Sequence, residues 1–279
     1  MDGLTLNKVD VSCSCLGVNV RVVYVRRSCG DIGRDVAALL DCVGVSISGR
    51  VVLKPNLITC EGPPTTTPVD VVEALANWFM GCGCEVIVAE GSGWGDTWEA
   101  YRTLGYAGLE ELGVRLVDLN VDQYEVVEDE SALVLKKFEL PLTLKDAYVV
   151  SIPVLKEHSI TGVTLSLKNM LGATLGEKSR VARKGRFHRM GLDECIVDVN
   201  LHVKPSLAVI DGRVAGIGGE LGSKPRKLGV LIASEDLVAA DAYACTLLGH
   251  NPLAVRHLVL AWKRGLGNVN LDEIDIVEV

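Results

Sequence analysis

The chain has 279 residues, 48% of them hydrophobic and 23% charged, enough to bury the core of one large domain or two modest ones. A net charge of −8 argues against general nucleic-acid binding, which needs a basic face. No apolar run approaches the roughly 18 residues of a membrane span, and the start MDGLTLNKVDV lacks a basic stretch leading into an apolar one. The expectation is a cytoplasmic protein without membrane contact.

Apolar runs of strand length alternate with helical patterns along the chain. Strands are predicted at Val18–Val25, Arg50–Pro55, Glu85–Glu90, Val114–Asp118, Ala147–Ile152, Ser206–Asp211 and Lys227–Ser234, each rich in Val or Ile and bounded by turn residues. Helices are predicted at Ile32–Cys42, Pro68–Phe79, Thr97–Leu104, Leu192–Val203, Leu237–Leu248 and Pro252–Arg264. Thr67 is the expected N-cap of the second helix, with Pro68 in its first turn. Tyr124–Phe138 alternates differently and reads as an edge hairpin. This alternation predicts an α/β fold, a mostly parallel sheet flanked by helices. The chain reads as a single domain over 1–279, with a weak boundary near Ala147 that would separate lobes 16–146 and 147–279.

Nine cysteines are many, but no Cys-x-x-Cys occurs. They read mostly as small buried hydrophobes, and no iron–sulfur cluster is expected. The runs Gly91–Gly95 and Gly216–Gly222 match no phosphate-binding fingerprint.

Several predicted strands end on a polar residue: Lys54-Pro-Asn56, Glu90, Asp118, Lys156 with His158, and Asp211. In a parallel sheet the carboxyl ends share one edge, where ligands bind, so these residues are predicted to converge on one cleft. Lys156, His158 and Lys168 are the catalytic candidates, since a lysine in an apolar setting loses its proton readily and a histidine titrates near neutrality. Lys54, Asn56, Thr65, Thr66, Asn169 and Asp211 are the ligand-binding candidates. The hydroxyl-rich run Thr65–Thr67 before a proline-started helix is an expected anion site, with Lys54 supplying charge. Lys178–Arg189 holds six Lys/Arg and no acid, and is expected to be a mobile cover that brings His188 and several cations over the cleft. His158 and His188 are the candidate metal ligands.

With those residues in place, the chain resembles the family catalogued as domain of unknown function 362. The carriers are Lys54-Pro-Asn56, Thr65-Thr66-Thr67-Pro68, Ile152 to His158, Thr164 to Gly172, His188, Asp211-Gly212 and Ala239-Ala-Asp241, over roughly Arg50 to Gly265. The family often adds a ferredoxin-like module with clustered cysteines, which this chain does not carry. It usually has His at the position of Thr67 and Lys at that of Val154, so chemistry needing those side chains is altered or lost here. The pattern is also distantly similar to nickel-pincer lactate racemases. That resemblance implies a lysine-tethered cofactor, a histidine metal ligand and histidine acid–bases, with His158, Lys168 and His188 as candidates.

The reading is an enzyme-like protein that binds a small anionic metabolite, with proton transfer at carbon (racemase- or isomerase-like) as the preferred reaction. The cofactor is unknown, a metal ion being one candidate. Two alternatives stand beside it: a non-catalytic protein for metal or cofactor binding or maturation, and nucleic-acid binding through residues 178–189. The sequence does not give the oligomeric state.

Overall fold

The computed structural model describes residues 21–178 and 183–279. In chain order the elements are β1 (Arg21–Arg27), α1 (Ile32–Val43), β2 (Arg50–Pro55), α2 (Val69–Gly81), β3 (Glu85–Glu90), α3 (Thr97–Thr103) and β4 (Arg115–Asp118). Next come β5 (Tyr124–Glu128), β6 (Lys137–Pro141), β7 (Tyr148–Ile152), β8 (Val154–His158), β9 (Gly162–Thr164), α4 (Ser166–Asn169) and α5 (Gly185–Met190). The chain continues with α6 (Leu192–Val203), β10 (Leu207–Ile217), β11 (Lys224–Ser234), α7 (Leu237–Leu247), α8 (Arg256–Lys263) and β12 (Ile274–Glu278). Short 3-10 turns link several of these.

The main sheet runs β12-β1-β11-β10-β7-β2-β3-β4, with β8 paired to β10 and β9 to β8. Its β4-β3-β2-β7-β10 half is wholly parallel. β11 is antiparallel to both of its neighbours, β10 and β1. The fold is therefore α/β with a mixed, mostly parallel sheet. β1 lies between β11 and β12, so strands from 16–146 and 147–279 share one sheet.

The strands read as continuous apolar runs because both faces are covered. Val51, Leu53, Val86, Val88 and Val150 pack into one cluster with side chains of α1, α2 and α3. Val52, Ile87, Ala89 and Val149, one residue out of step, pack into a second cluster with α6, α7 and α8. That alternation is the period-2 pleat of a strand with two apolar neighbours.

The local departures have physical causes. Pro68 itself is the N-cap of α2, and Thr67 makes no capping bond there. Tyr124–Phe138 does form a hairpin, but as a separate two-stranded sheet of β5 and β6 rather than an edge of the main one. Of the seven described cysteines, only Cys84, Cys195 and Cys245 are buried; Cys29, Cys42 and Cys82 are exposed, which corrects the reading of most as core residues.

Beyond Ile152 the chain does not turn into a helix. Pro153 breaks the strand, and β8 continues past the carboxyl edge of β7 alongside the second half of β10. It then folds back as β9 and enters the one-turn helix α4. The carboxylate of Asp241, from α7, accepts the Ser166 and Leu167 amides at 2.8 and 2.9 Å, satisfying the first orphan donors of that turn. This anchors the turn that carries Lys168 and Asn169 against the end of β2.

Candidate functional site

The carboxyl ends of β2 and β3, the end of α4, the 3-10 turn after it and α5 line a cavity of about 190 Å³. Lys54, Asn56, Glu90, Lys168, Asn169, Lys184, His188 and Glu220 supply its polar wall. Ile58, Trp94, Leu171 and Phe187 supply apolar surface.

On the floor, Lys54 Nζ donates to Glu90 Oε2 at 2.7 Å, to the Pro55 carbonyl at 2.8 Å and to Asn169 Oδ1 at 2.9 Å. An ammonium has three N–H groups, so Lys54 is saturated. Glu90 also accepts the Leu57 and Gly91 amides at 3.0 and 2.7 Å. The backbone of Gly172 lies directly on this pair: a Cβ there would collide with Glu90 Oε1 and stand 2.7 Å from Lys54 Nζ.

Glu220 is the centre of the second group. One of its oxygens receives Lys168 Nζ at 2.6 Å, and the other receives His158 Nε2 at 3.2 Å. Burial alone would raise the Glu220 carboxyl, but Lys168, His158 and Lys156 outweigh it and hold the group well below the usual carboxylate range. Lys156 is fully buried and donates to the Thr65 carbonyl at 2.7 Å and to the Glu220 carbonyl at 3.3 Å. Burial pushes Lys156 down to about 7. His158 Nδ1 accepts the backbone amides of Ile160 and Thr161, both at 3.1 Å. A nitrogen that accepts two N–H bonds carries no proton, so the neutral ring is protonated at Nε2 and donates to Glu220. Burial lowers the His158 pKa, which Glu220 only partly opposes.

Lys184 closes the roof. Its ammonium donates to the carbonyl and, at 3.2 Å, to the hydroxyl of Thr174. Burial pushes its pKa down to about 7. No acid partners it among the described residues.

The expected site residues thus divide. Lys54, Asn56, Lys168, Asn169 and His188 line the cavity. Lys156 and His158 do not: they stand behind Glu220, because β8 runs alongside β10 and away from the β2 and β3 ends. Thr65, Thr66 and Asp211 also lie elsewhere. Thr66 donates to the Glu61 carbonyl, and Thr67 bridges the Asn56 amide and the Ile152 carbonyl. The Thr66 and Thr67 hydroxyls are thus bonded to backbone carbonyls, and Lys54 faces Glu90 rather than this run, so Lys54 does not supply charge to it. The Asp211 carboxylate takes the Arg213 guanidinium, which also forks onto Asp70. Val154 is buried outside the cavity wall.

The basic run behaves differently from a loose cover. Residues 179–182 lie outside the described part, so the mobility expected for them has no structural counterpart to report. In the described remainder Lys178 is exposed, while α5 buries Phe187 in the core, Arg183 pairs with Asp96 and Asp118, Arg186 with Glu139, and the largely exposed Arg189 with Glu177. These cations serve the fold, and Lys184 alone of them lines the cavity.

The metal reading finds no fit. Both nitrogens of His158 are engaged, and His188 stands on the cavity wall that His158 does not reach. Among the described residues, no three His, Cys, Asp or Glu side chains are grouped to hold a metal ion.

Sequence reasoning missed Glu220 and reached Lys184 only as one of several cations in the basic run. Glu220 is the lone acid in a glycine run whose Gly218, Gly219 and Gly222 all take positive φ, which is the signal that marked it. Gly91 and Gly93 in the other glycine run allow close packing: a Cβ on Gly91 would stand 2.8 Å from the Gly172 carbonyl. Asp96 after them caps α3 through the Glu99 amide.

Residues 51–246 match the family described as Domain of unknown function (DUF362), and the chain belongs to it. A thylakoid-associated protein of Synechocystis sp. is 26% identical over 250 residues, covering 85% of this chain and 76% of that protein. Among solved structures, the lactate racemase apoprotein from Thermoanaerobacterium thermosaccharolyticum is similar at a TM-score of 0.48 and 10% identity, over 81% of this chain and 56% of that one. No helix among the described residues is long and apolar enough to cross a membrane.

Proposed function

We propose that this chain binds a small anionic metabolite in the cavity between β2, β3, α4 and α5 and moves a proton at one of its carbons. One observation carries the reading: Lys168 and Lys184 line the same enclosed space with N–H donors to spare. Lys168 spends one on Glu220, and Lys184 spends two on Thr174. Among the described residues two donors remain on Lys168, and one on Lys184 in its protonated fraction. The volume of about 190 Å³ suits a small metabolite, below the roughly 300–1,000 Å³ typical of drug-sized ligands.

The two lysines suit different roles. Lys168, held at 2.6 Å against Glu220, holds the anion. Lys184 has no acidic partner and a pKa near 7, so at neutral pH a large fraction carries a lone pair and accepts a proton. Lys156 and His158 act as positioning residues, fixing Glu220 and through it Lys168.

The test is proton exchange. Small carboxylates and phosphorylated acids are incubated with the protein in D₂O, and C–H loss is followed by NMR. The reading expects exchange with at least one of them, lost in Lys184→Arg while binding persists, and lost together with binding in Lys168→Met. Tight stoichiometric binding without exchange would favour a carrier. Absence of binding across the panel would overturn the reading.

A further inference from the structure

The cavity has a charged end and an apolar end, and the glycine run along its wall fixes their order. Lys184 lies lengthwise against Gly91–Gly93. A Cβ on Gly91 would stand 3.0 Å from Lys184 Nζ, and one on Gly93 would stand 3.7 Å from Lys184 Cγ. The ammonium is therefore at the Gly91 end, where the Gly172 carbonyl also packs. The Gly93 end is apolar. A Cβ on Gly93 would stand 2.8 Å from Ile58 Cδ1, and the Trp94 amide donates to the Ile58 carbonyl at 2.9 Å. Ile58 and Trp94 thus form one ledge, and both line the cavity.

Exposure sets this ledge apart from the rest of the apolar wall. Leu171, Phe187 and Leu192 are buried in the core, whereas Ile58 is half-buried and Trp94 is 42% exposed. An indole left open beside a polar cavity presents apolar area that a ligand's own apolar part can remove from water. Extended chain covers about 7 Å over the two residues from Gly91 to Gly93, which sets the scale of the distance between the two ends. From this we infer that the ligand is an amphipathic monocarboxylate: its charge meets Lys184 and Lys168, and its tail, about three to five carbons or one aromatic ring, covers Ile58 and Trp94. This rests on the anion-binding reading above and adds the chemistry of the ligand's other end. The lysines select the charge, and the ledge selects the length of the tail.

A homologous series tests this by calorimetry: acetate, propionate, butyrate, pentanoate and hexanoate, with phenylacetate as the aromatic member. Only the tail changes along it. The wild-type protein is expected to gain about two- to fourfold in affinity per methylene until the ledge is covered. The heat-capacity change of binding should grow more negative in step, the mark of apolar burial. In Trp94→Ala and Ile58→Ala, each first shown to melt cooperatively, the gain per methylene should fall by half or more. The wild-type series stands as a test without any variant. Equal affinities along the wild-type series would overturn the inference and leave the anion site standing, as would a gain that persists at full size in both folded variants. Binding of none of these acids, where a phosphorylated acid binds, would also overturn it alone. Pentanamide, neutral and of the same length, should bind at least about tenfold more weakly than pentanoate, having lost a charge-assisted contact. Equal binding of the two would overturn the anion reading, and this inference with it.

Discussion

Lys168 and Glu220 meet at 2.6 Å across 52 residues of chain, and the carboxylate that receives Lys168 also receives His158. Glu220 comes from a glycine-bordered loop, whereas Lys168 sits on a helix turn anchored by Asp241. The pair therefore ties a loop to the body of the fold. Glu220→Ala strands the Lys168 ammonium in a residue only 7% exposed. Breaking one side of a buried pair is costly, and because the Glu220 side chain is 17% exposed we expect about 2 to 4 kcal/mol, on the low side of the range. Urea unfolding measures it; a change below about 1 kcal/mol would show that the pair does not hold the loop.

Gly172 packs its backbone on the Lys54–Glu90 pair, with no room for a methyl. Gly172→Ala should cost about 2 kcal/mol or more, since both neighbours are buried and bonded. Gly81 closes α2 with open space where a Cβ would stand, so Gly81→Ala should be neutral or stabilising by up to about 1 kcal/mol. Equal effects of the two would contradict this account of the floor.

Much of this was legible beforehand, and the reasons differ by residue. Arg50–Pro55 and Glu85–Glu90 are short apolar runs with turn residues on both sides, so their bounds follow from pattern alone. β8 was invisible because Pro153 precedes it and Lys-Glu-His ends it, a polar sequence buried only by tertiary packing. The antiparallel direction of β11 depends on its pairing with β10, which no local period records. For the site, strand ends pointed to Lys54 and Asn56. The partner of Lys168 is a distant acid in a glycine loop, and the Lys184 ammonium is singled out from its basic run only by burial against Thr174.

Lys156 supplies a pH dependence with a defined sign. Its folded pKa lies near 7, below the ordinary lysine value of 10.5. Between these values the unfolded chain holds a proton that the native one lacks, so this group makes stability rise with pH across that window and stay level below it. Lys156→Met should remove a slope approaching one proton. Denaturant midpoints of both proteins from pH 6 to 10 check this; identical slopes would mean that Lys156 stays charged when folded.

His158 should be neutral and protonated at Nε2 at pH 7, because two backbone amides occupy Nδ1. Its titration midpoint should lie below 6.5. Nitrogen chemical shifts of the ring report both. A charged ring at pH 7, or a proton on Nδ1, would contradict the positioning role assigned to it.

Lys168 and, in its protonated fraction, Lys184 are proposed to contact the anion in the cavity. The most direct measurement is calorimetric titration at pH 7 of wild type, Lys168→Met and Lys184→Met with the small carboxylates and phosphorylated acids named above, each variant first shown to melt cooperatively. The account predicts one site per chain for at least one of these anions, weakened about tenfold or more by either substitution, the loss of one charge-assisted contact. Binding that both folded variants retain at full strength would contradict it.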